Sequence, residues 1–180
     1  LTGSLCHRGD IKGCFDAIDP HLLMEAVKRR VRDRKVRLLI RAFLKAGIMI
    51  EGALRHPATG TPQGGVLSPL LANIFLHRLD ERYGRWTPRP REKSGNAKAR
   101  RAYDRQRHRP TFYMVRYADD FVLLVVGTRR QADEERDALA KFLLEEMRLE
   151  LSAEKTLITR PEDGFDFLGY RVVRAPSLRR

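Results

Sequence analysis

The chain has 180 residues, with 36 lysines and arginines against 23 aspartates and glutamates, a formal net charge of +13, and 42% hydrophobic residues. That apolar share builds a core at this length and excludes wholesale disorder. No apolar run nears the roughly 20 residues that span a bilayer, and no secretory signal opens the chain, so no membrane span is expected.

The basic excess calls for a polyanionic partner, either nucleic acid or an anionic membrane surface. Cys6 and Cys14 match neither a zinc spacing nor a disulfide framework, which predicts a reduced cytoplasmic protein. The first strand falls before Asp10, in Leu1 to Gly9, a segment short of apolar residues and therefore of weakly specified register. Leu22, Leu23, Ala26 and Val27 form a helical stripe, with Asp19 as N-cap and Pro20 at the first helical position. Val36, Leu39, Ile40, Phe43 and Leu44 repeat the stripe up to Gly47. Parts of Ile48 to His56 read as strand. Ser68-Pro69 opens a third helix with Leu70, Leu71, Ile74, Phe75 and Leu79 as its apolar face.

From Gly84 to Pro110 ten basic residues stand against Glu92 and Asp104. Pro88, Pro90 and Gly95 make the first part of this stretch a loop, and Ala99 to Arg109 has helical composition. It is either a solvated linker or an insertion that contacts phosphates through Arg100, Arg101, Arg105, Arg107 and Arg109. Thr111 to Val126 is rich in β-branched and aromatic residues, and it breaks only at Ala118-Asp119-Asp120. This predicts a hairpin with two carboxylates at its turn. Ala132, Leu139, Leu143 and Met147 mark a fourth helix whose stripe Arg136 interrupts, and strands follow at Thr156 to Thr159 and Phe167 to Val173. Strands interleaved with helices around an antiparallel hairpin read as α+β.

Three segments carry chemistry. Tyr117-Ala118-Asp119-Asp120 places two hard oxygen donors between apolar strands, which suits magnesium bound together with substrate phosphates. Asp10 adds a carboxylate at another strand end, where the Ile11 carbonyl can also reach a metal; two ions about 4 Å apart activate an attacking oxygen and stabilise a leaving one. Thr61 to Asn73 contains Gln63-Gly64-Gly65, where glycines allow close backbone approach to a ligand and Gln63 offers an amide. Ser68 then opens a helix whose amides favour phosphate.

Taken in order, Asp10 to Phe15, Thr61 to Asn73, Tyr117 to Asp120, Leu151 to Thr156 and Phe167 to Tyr170 closely resemble the reverse transcriptases encoded by bacterial group II introns, which often also act as maturases. The resemblance implies a polymerase right-hand palm, a ferredoxin-like antiparallel sheet packed on helices, with partial fingers elements over residues 1–174, a basic insertion at 84–110 and a tail at 175–180. It implies two Mg2+ ions, replaceable by Mn2+, on Asp10, Ile11, Asp119 and Asp120. Phe15 would be the sugar-selecting gate, Gln63 and Gly64 would line the nucleotide pocket, and Lys155 would stand near the triphosphate leaving group. Phe167-Leu168-Gly169-Tyr170 resembles the hairpin that grips the primer end.

The expected partners are an RNA template and intron RNA, a DNA primer or target, and a deoxynucleoside triphosphate; the oligomeric state is left open. Full-length relatives carry fingers before the position of Asp10 and a thumb beyond that of Arg174, so a palm from a larger enzyme or a truncated gene is expected. Two rivals stand beside a polymerase. One is a non-catalytic RNA-binding or splicing remnant. The other is a reverse transcriptase of retron, diversity-generating or phage-defence type.

Overall fold

The computed structural model of the chain describes residues 3–45, 48–50, 53–55, 67–86, 94–152 and 156–174. Its centre is an antiparallel sheet of four strands: β1 (Gly3–Gly9), β4 (Thr111–Tyr117), β5 (Asp120–Gly127) and β6 (Leu157–Thr159), in the order β4-β5-β1-β6. The predicted hairpin is β4 and β5, in register from Thr111↔Val126 to Tyr117↔Asp120. Two short pairs, β2 (Ile48–Ile50) with β3 (Ala53–Arg55) and β7 (Phe165–Phe167) with β8 (Tyr170–Val172), are separate from it. The second pair divides what the sequence suggests is one strand.

The weakly specified first strand is the correction that matters most. β1 is an interior strand, paired over seven residues with β5, from Gly3↔Gly127 to Gly9↔Phe121, and over three with β6. Neighbours on both sides set its register, and its side chains fit a crowded site: Leu5, Cys6 and His7 are buried although only one of them is strongly apolar.

The sheet has unlike faces, because successive side chains alternate. Leu5, Phe112, Phe121, Leu123 and Val125 point to one face and join a core with helices beneath it. Those helices are α4 (Ser68–Tyr83) and α6 (Arg129–Met147), which contribute Leu71, Phe75, Leu79, Leu139, Leu143 and Met147. Burying each such side chain contributes about 1.5–3 kcal/mol. Tyr83 Oη and Arg82 Nη2 both donate to Glu135 Oε1, at 2.8 and 2.9 Å, and tie α4 to α6. The opposite face carries Arg8, Val115 and Tyr117, all exposed.

Local signals set the helix starts. Asp19 accepts from the amides of His21 and Leu22 (2.8 and 3.0 Å) at the head of α2 (Pro20–Arg30). Thr128 and Gln131 form a capping box on α6. α2 packs on α4, and α3 (Arg34–Lys45) leans on α2. The stripe predicted for α3 stays largely outside: Val36, Leu39 and Phe43 are each about half exposed, and no residue of the helix is fully buried. A one-turn helix α1 (Cys14–Ala17) follows β1, and α5 (Ser94–Gln106) starts five residues earlier than its composition suggests. No helix among the described residues is long and apolar enough to cross a membrane.

Candidate active site

The antiparallel register puts two acidic segments at one end of the sheet. Gly9 pairs with Phe121, so the next residue on each strand, Asp10 and Asp120, stand side by side, and Asp119 occupies the turn above them. Asp10 and Asp120 are half-buried. Downstream of Asp10 the chain forms a bridge between Ile11 and Leu151, in which Ser152 N donates to Asp10 O (2.9 Å) and Lys12 N to Glu150 O (3.0 Å). Carbonyls alternate in direction along an extended strand. The Ile11 carbonyl therefore faces away from Leu151, toward β5 and the turn.

The Cys14 thiol is buried and pushed up to about 12, first by burial, then by the Asp119 carboxylate, with Arg116 opposing and Asp10 adding to the rise. One buried sulfur therefore feels both carboxylates and the arginine. Gly13, at φ 54°, makes the sharp turn that starts α1 directly behind Asp10. Ala118 takes φ 52°, a left-handed conformation that usually costs a non-glycine residue about 1–3 kcal/mol and gathers at functional sites.

This donor set fits magnesium. Among the described residues no three His, Cys, Asp or Glu side chains are gathered as a closed metal site. A site built from two carboxylates and a carbonyl, left open on the substrate side, is the arrangement magnesium takes when phosphates complete its shell.

The other predicted residues are less evenly placed. Phe15 lies on α1, half-buried against the core and two turns of chain from Asp10. Gln63, Gly64 and Lys155 lie outside the described residues. Ser68 is the first residue of α4, buried, with Leu67 rather than Ser68 in the N-cap position. Phe167 and Tyr170 pair across a two-residue turn in which Leu168 (φ 51°) and Gly169 (φ 81°) are both left-handed, the geometry of a type I′ hairpin. This hairpin stands over the open face of the sheet. Between the two lies an apolar cavity of about 400 Å3 lined by Tyr113, Leu124, Val126, Phe165 and Val172. Tyr170 is 76% exposed at the hairpin's tip.

The basic insertion divides. Arg100 Nε donates to the Arg85 carbonyl (2.6 Å) and Arg101 Nη1 to the Trp86 carbonyl (2.5 Å), while Arg101 also covers the Tyr113 ring at 4.9 Å. Asp104, 2% exposed, takes two bonds from Arg85 and one from the Trp86 indole, which hold its carboxyl below the usual range. Arg100 and Arg101 thus fasten α5 to the end of α4. Arg105, Arg107 and Arg109 are exposed, with Arg107 stacked on Tyr103 at 4.4 Å.

Two features escape inspection of the sequence. Arg34, Arg37 and Arg41 recur at helical spacing on α3 and, with Lys28, line a groove of about 220 Å3 against α2. The 3- and 4-residue spacing is visible in the chain, but the stripe of apolar residues beside it draws the eye first. Arg116, one residue ahead of the aromatic that opens the turn, is bonded to α4 and to the turn itself. No local pattern announces it.

Residues 4–172 match the family model described as reverse transcriptase (RNA-dependent DNA polymerase). The chain is 38% identical to protein YkfC of Escherichia coli, covering 94% of this chain and 47% of that one. It is 37% identical to the group II intron-encoded protein LtrA of Lactococcus lactis, covering 96% and 36%. It spans less than half the length of these curated relatives. Among solved structures, it superposes on telomerase from Candida tropicalis with a TM-score of 0.64 at 15% identity, covering 96% of this chain and 34% of that one. Telomerase from Candida albicans, in complex with a fragment of telomeric RNA, gives a TM-score of 0.59, also at 15% identity, over 95% and 29%. At that identity the likeness shows the fold, a right-hand polymerase palm.

Proposed function

Because the chain belongs to the reverse transcriptase (RNA-dependent DNA polymerase) family, with a group II intron-encoded protein among its relatives, we propose that it is the palm, with part of the fingers, of an enzyme that extends a DNA primer along an RNA template. The observation that carries this reading is the strand register that sets Asp10 beside Asp120 at one end of an open-faced sheet, with Asp119 in the adjoining turn.

Asp10, Asp119 and the Ile11 carbonyl would hold Mg2+ there, or Mn2+ in its place, with Asp120, the first residue of β5, as a further acid beside them. When bound, a pair of such ions supplies positive charge at the attacking 3′-hydroxyl and the departing pyrophosphate. The chain's own work is alignment, which converts a bimolecular encounter into a positioned one. Phe15 bears on the sugar's second carbon and excludes a hydroxyl there. By the family resemblance, Gln63 and Gly64 would line the deoxynucleotide's pocket and Lys155 would meet its triphosphate. The Phe167–Tyr170 turn holds the primer end above the sheet, and the exposed aromatic ring of Tyr170 suits that task. Primer extension on an RNA template, wild type beside Asp119→Asn, tests the assignment. The variant should lose extension while keeping its melting temperature, and equal extension by both proteins would refute it.

A second reading, an RNA-binding splicing role, is favoured by one observation. Arg34, Arg37 and Arg41 make no ion pair with any described residue and lie on α3, which the four-stranded sheet does not include. A polymerase that is also a maturase would use both surfaces. Asp119→Asn should then leave intron RNA binding intact, whereas loss of RNA affinity in that variant would argue against separate surfaces.

A further inference from the structure

Arg116 stands at the end of β4, next to the residues that turn toward Asp119. Its side chain is only 9% exposed, so its guanidinium must find partners inside the protein. It finds three. Nε donates to Asp80 Oδ1 at 3.0 Å and Nη2 to Asp80 Oδ2 at 2.7 Å, a two-pronged pair with a carboxylate on α4. Nη1 donates to Asn73 Oδ1 at 2.9 Å, about two turns away on the same face of α4, and to the Ala118 carbonyl at 2.8 Å. Asp80 sits at the wetter edge, 36% exposed, and His77 Nδ1 lies 3.4 Å from its Oδ2.

The bond to Ala118 is the consequential one. Ala118 is held at φ 52°, where an alanine does not rest unaided, and the next residue is Asp119. The helix fixes the plane of the guanidinium through three bonds, and the plane then presents Nη1 to the turn. A lysine could not do this, because a single ammonium cannot engage both Asp80 oxygens and still reach two further acceptors from a fixed plane.

We propose that Arg116 is a positioning residue: braced by Asp80 and Asn73 on α4, it sets the strained turn so that Asp119 faces Asp10. The proposal rests on the reading of Asp119 as a metal ligand. Partners that orient ligands in this way typically contribute about 10–100-fold to metal affinity or activity.

The test uses the full chain as wild type, Asp119→Asn, Arg116→Lys, Arg116→Met, Asp80→Asn and the Arg116→Met/Asp80→Asn double variant. Mn2+ binding is followed by water-proton relaxation, folding by thermal melting, and the turn by backbone amide resonances of residues 118–120 in metal-free protein. Arg116→Lys should weaken Mn2+ binding by about 10–100-fold and move the turn amides, while the chain still melts cooperatively at a lower temperature. Asp80→Asn should do the same to a smaller extent. The double variant should be no worse than Arg116→Met, since both changes act through one strut. If Arg116→Met does not fold, Arg116→Lys and Asp80→Asn carry the test, because each keeps a hydrogen-bonding side chain. Wild-type Mn2+ binding by Asp119→Asn would overturn the metal reading itself. Loss of binding in Asp119→Asn together with wild-type binding and unmoved turn amides in Arg116→Lys would overturn the positioning role alone.

Discussion

Gly9→Ala is the sharpest small perturbation the fold allows. A Cβ built on Gly9 lies 2.2, 2.5 and 2.9 Å from Cζ, Cε2 and Cε1 of Phe121, whereas carbon atoms rest about 3.5–4.0 Å apart. The ring must retreat by more than an ångström, yet Phe121 is 1% exposed and packed into the core. Overpacking of this kind costs about 1–3 kcal/mol. A cost of about 2 kcal/mol lowers the melting temperature of a chain this size by roughly 4–8 °C. The displaced backbone is the residue before Asp10, so primer extension should fall further than the lost stability explains. Thermal melting of Gly9→Ala, Phe121→Leu and the double variant measures the coupling. Removing ring atoms should cost less in the alanine background than in the wild type, with a coupling of at least about 0.5 kcal/mol. An unchanged melting temperature for Gly9→Ala, or strict additivity, would refute the pairing of β1 with β5 through Gly9 and Phe121.

Three further predictions follow from named contacts. His7 is buried, neither ring nitrogen has a hydrogen-bond partner among the described residues, and burial first, then the Arg136 charge, hold it down to about 4 from 6.5. The unfolded chain therefore takes up a proton that the native state refuses, so stability is intact above pH 6.5 and falls as pH drops from 6.5 to 4, by a total of about 3 kcal/mol. Urea unfolding of His7→Leu should lack that share of the decline, and parallel pH curves for the two proteins would dismiss it. Arg34, Arg37 and Arg41 changed together to glutamine should flatten the slope of log RNA affinity against log salt by about two to three units without lowering the melting temperature. Arg100→Ala and Arg101→Ala should instead mainly destabilise, because both side chains hold carbonyls of the segment after α4; the opposite pattern would return the RNA contact to α5. Phe15→Val should raise ribonucleotide incorporation with the fold intact, measured as the ratio of ribo- to deoxynucleotide insertion. Destabilisation with an unchanged ratio would make Phe15 a packing residue.

Short-range chemistry is the part of this protein that can be read from the chain alone. Asp19-Pro20 starts a helix because the cap is made by residues two and three positions away. The β4–β5 hairpin is legible because apolar β-formers flank the break at Ala118-Asp119-Asp120, although pairing with Tyr117 takes Asp120 into β5 and leaves one carboxylate, Asp119, in the turn. The carboxylates Asp10 and Asp119 stand out through their neighbours in the chain. Tertiary structure decided the rest, where a residue's role depends on partners far along the chain. β1 is interior although its composition is poor in apolar residues, because β5 and β6 supply hydrogen bonds on both edges and Gly9 leaves room for a ring 112 positions later. The α3 stripe predicts burial, yet its face stays half exposed because period alone does not supply a surface to pack on. Two of the arginines read as phosphate ligands are spent on backbone carbonyls fifteen residues away. Arg116 reads as one more surface charge on a strand until α4 delivers Asp80 and Asn73 to it from 36 and 43 residues upstream. A guanidinium becomes a strut only when folding removes its water and gives each donor a fixed partner, and no sequence pattern encodes that meeting.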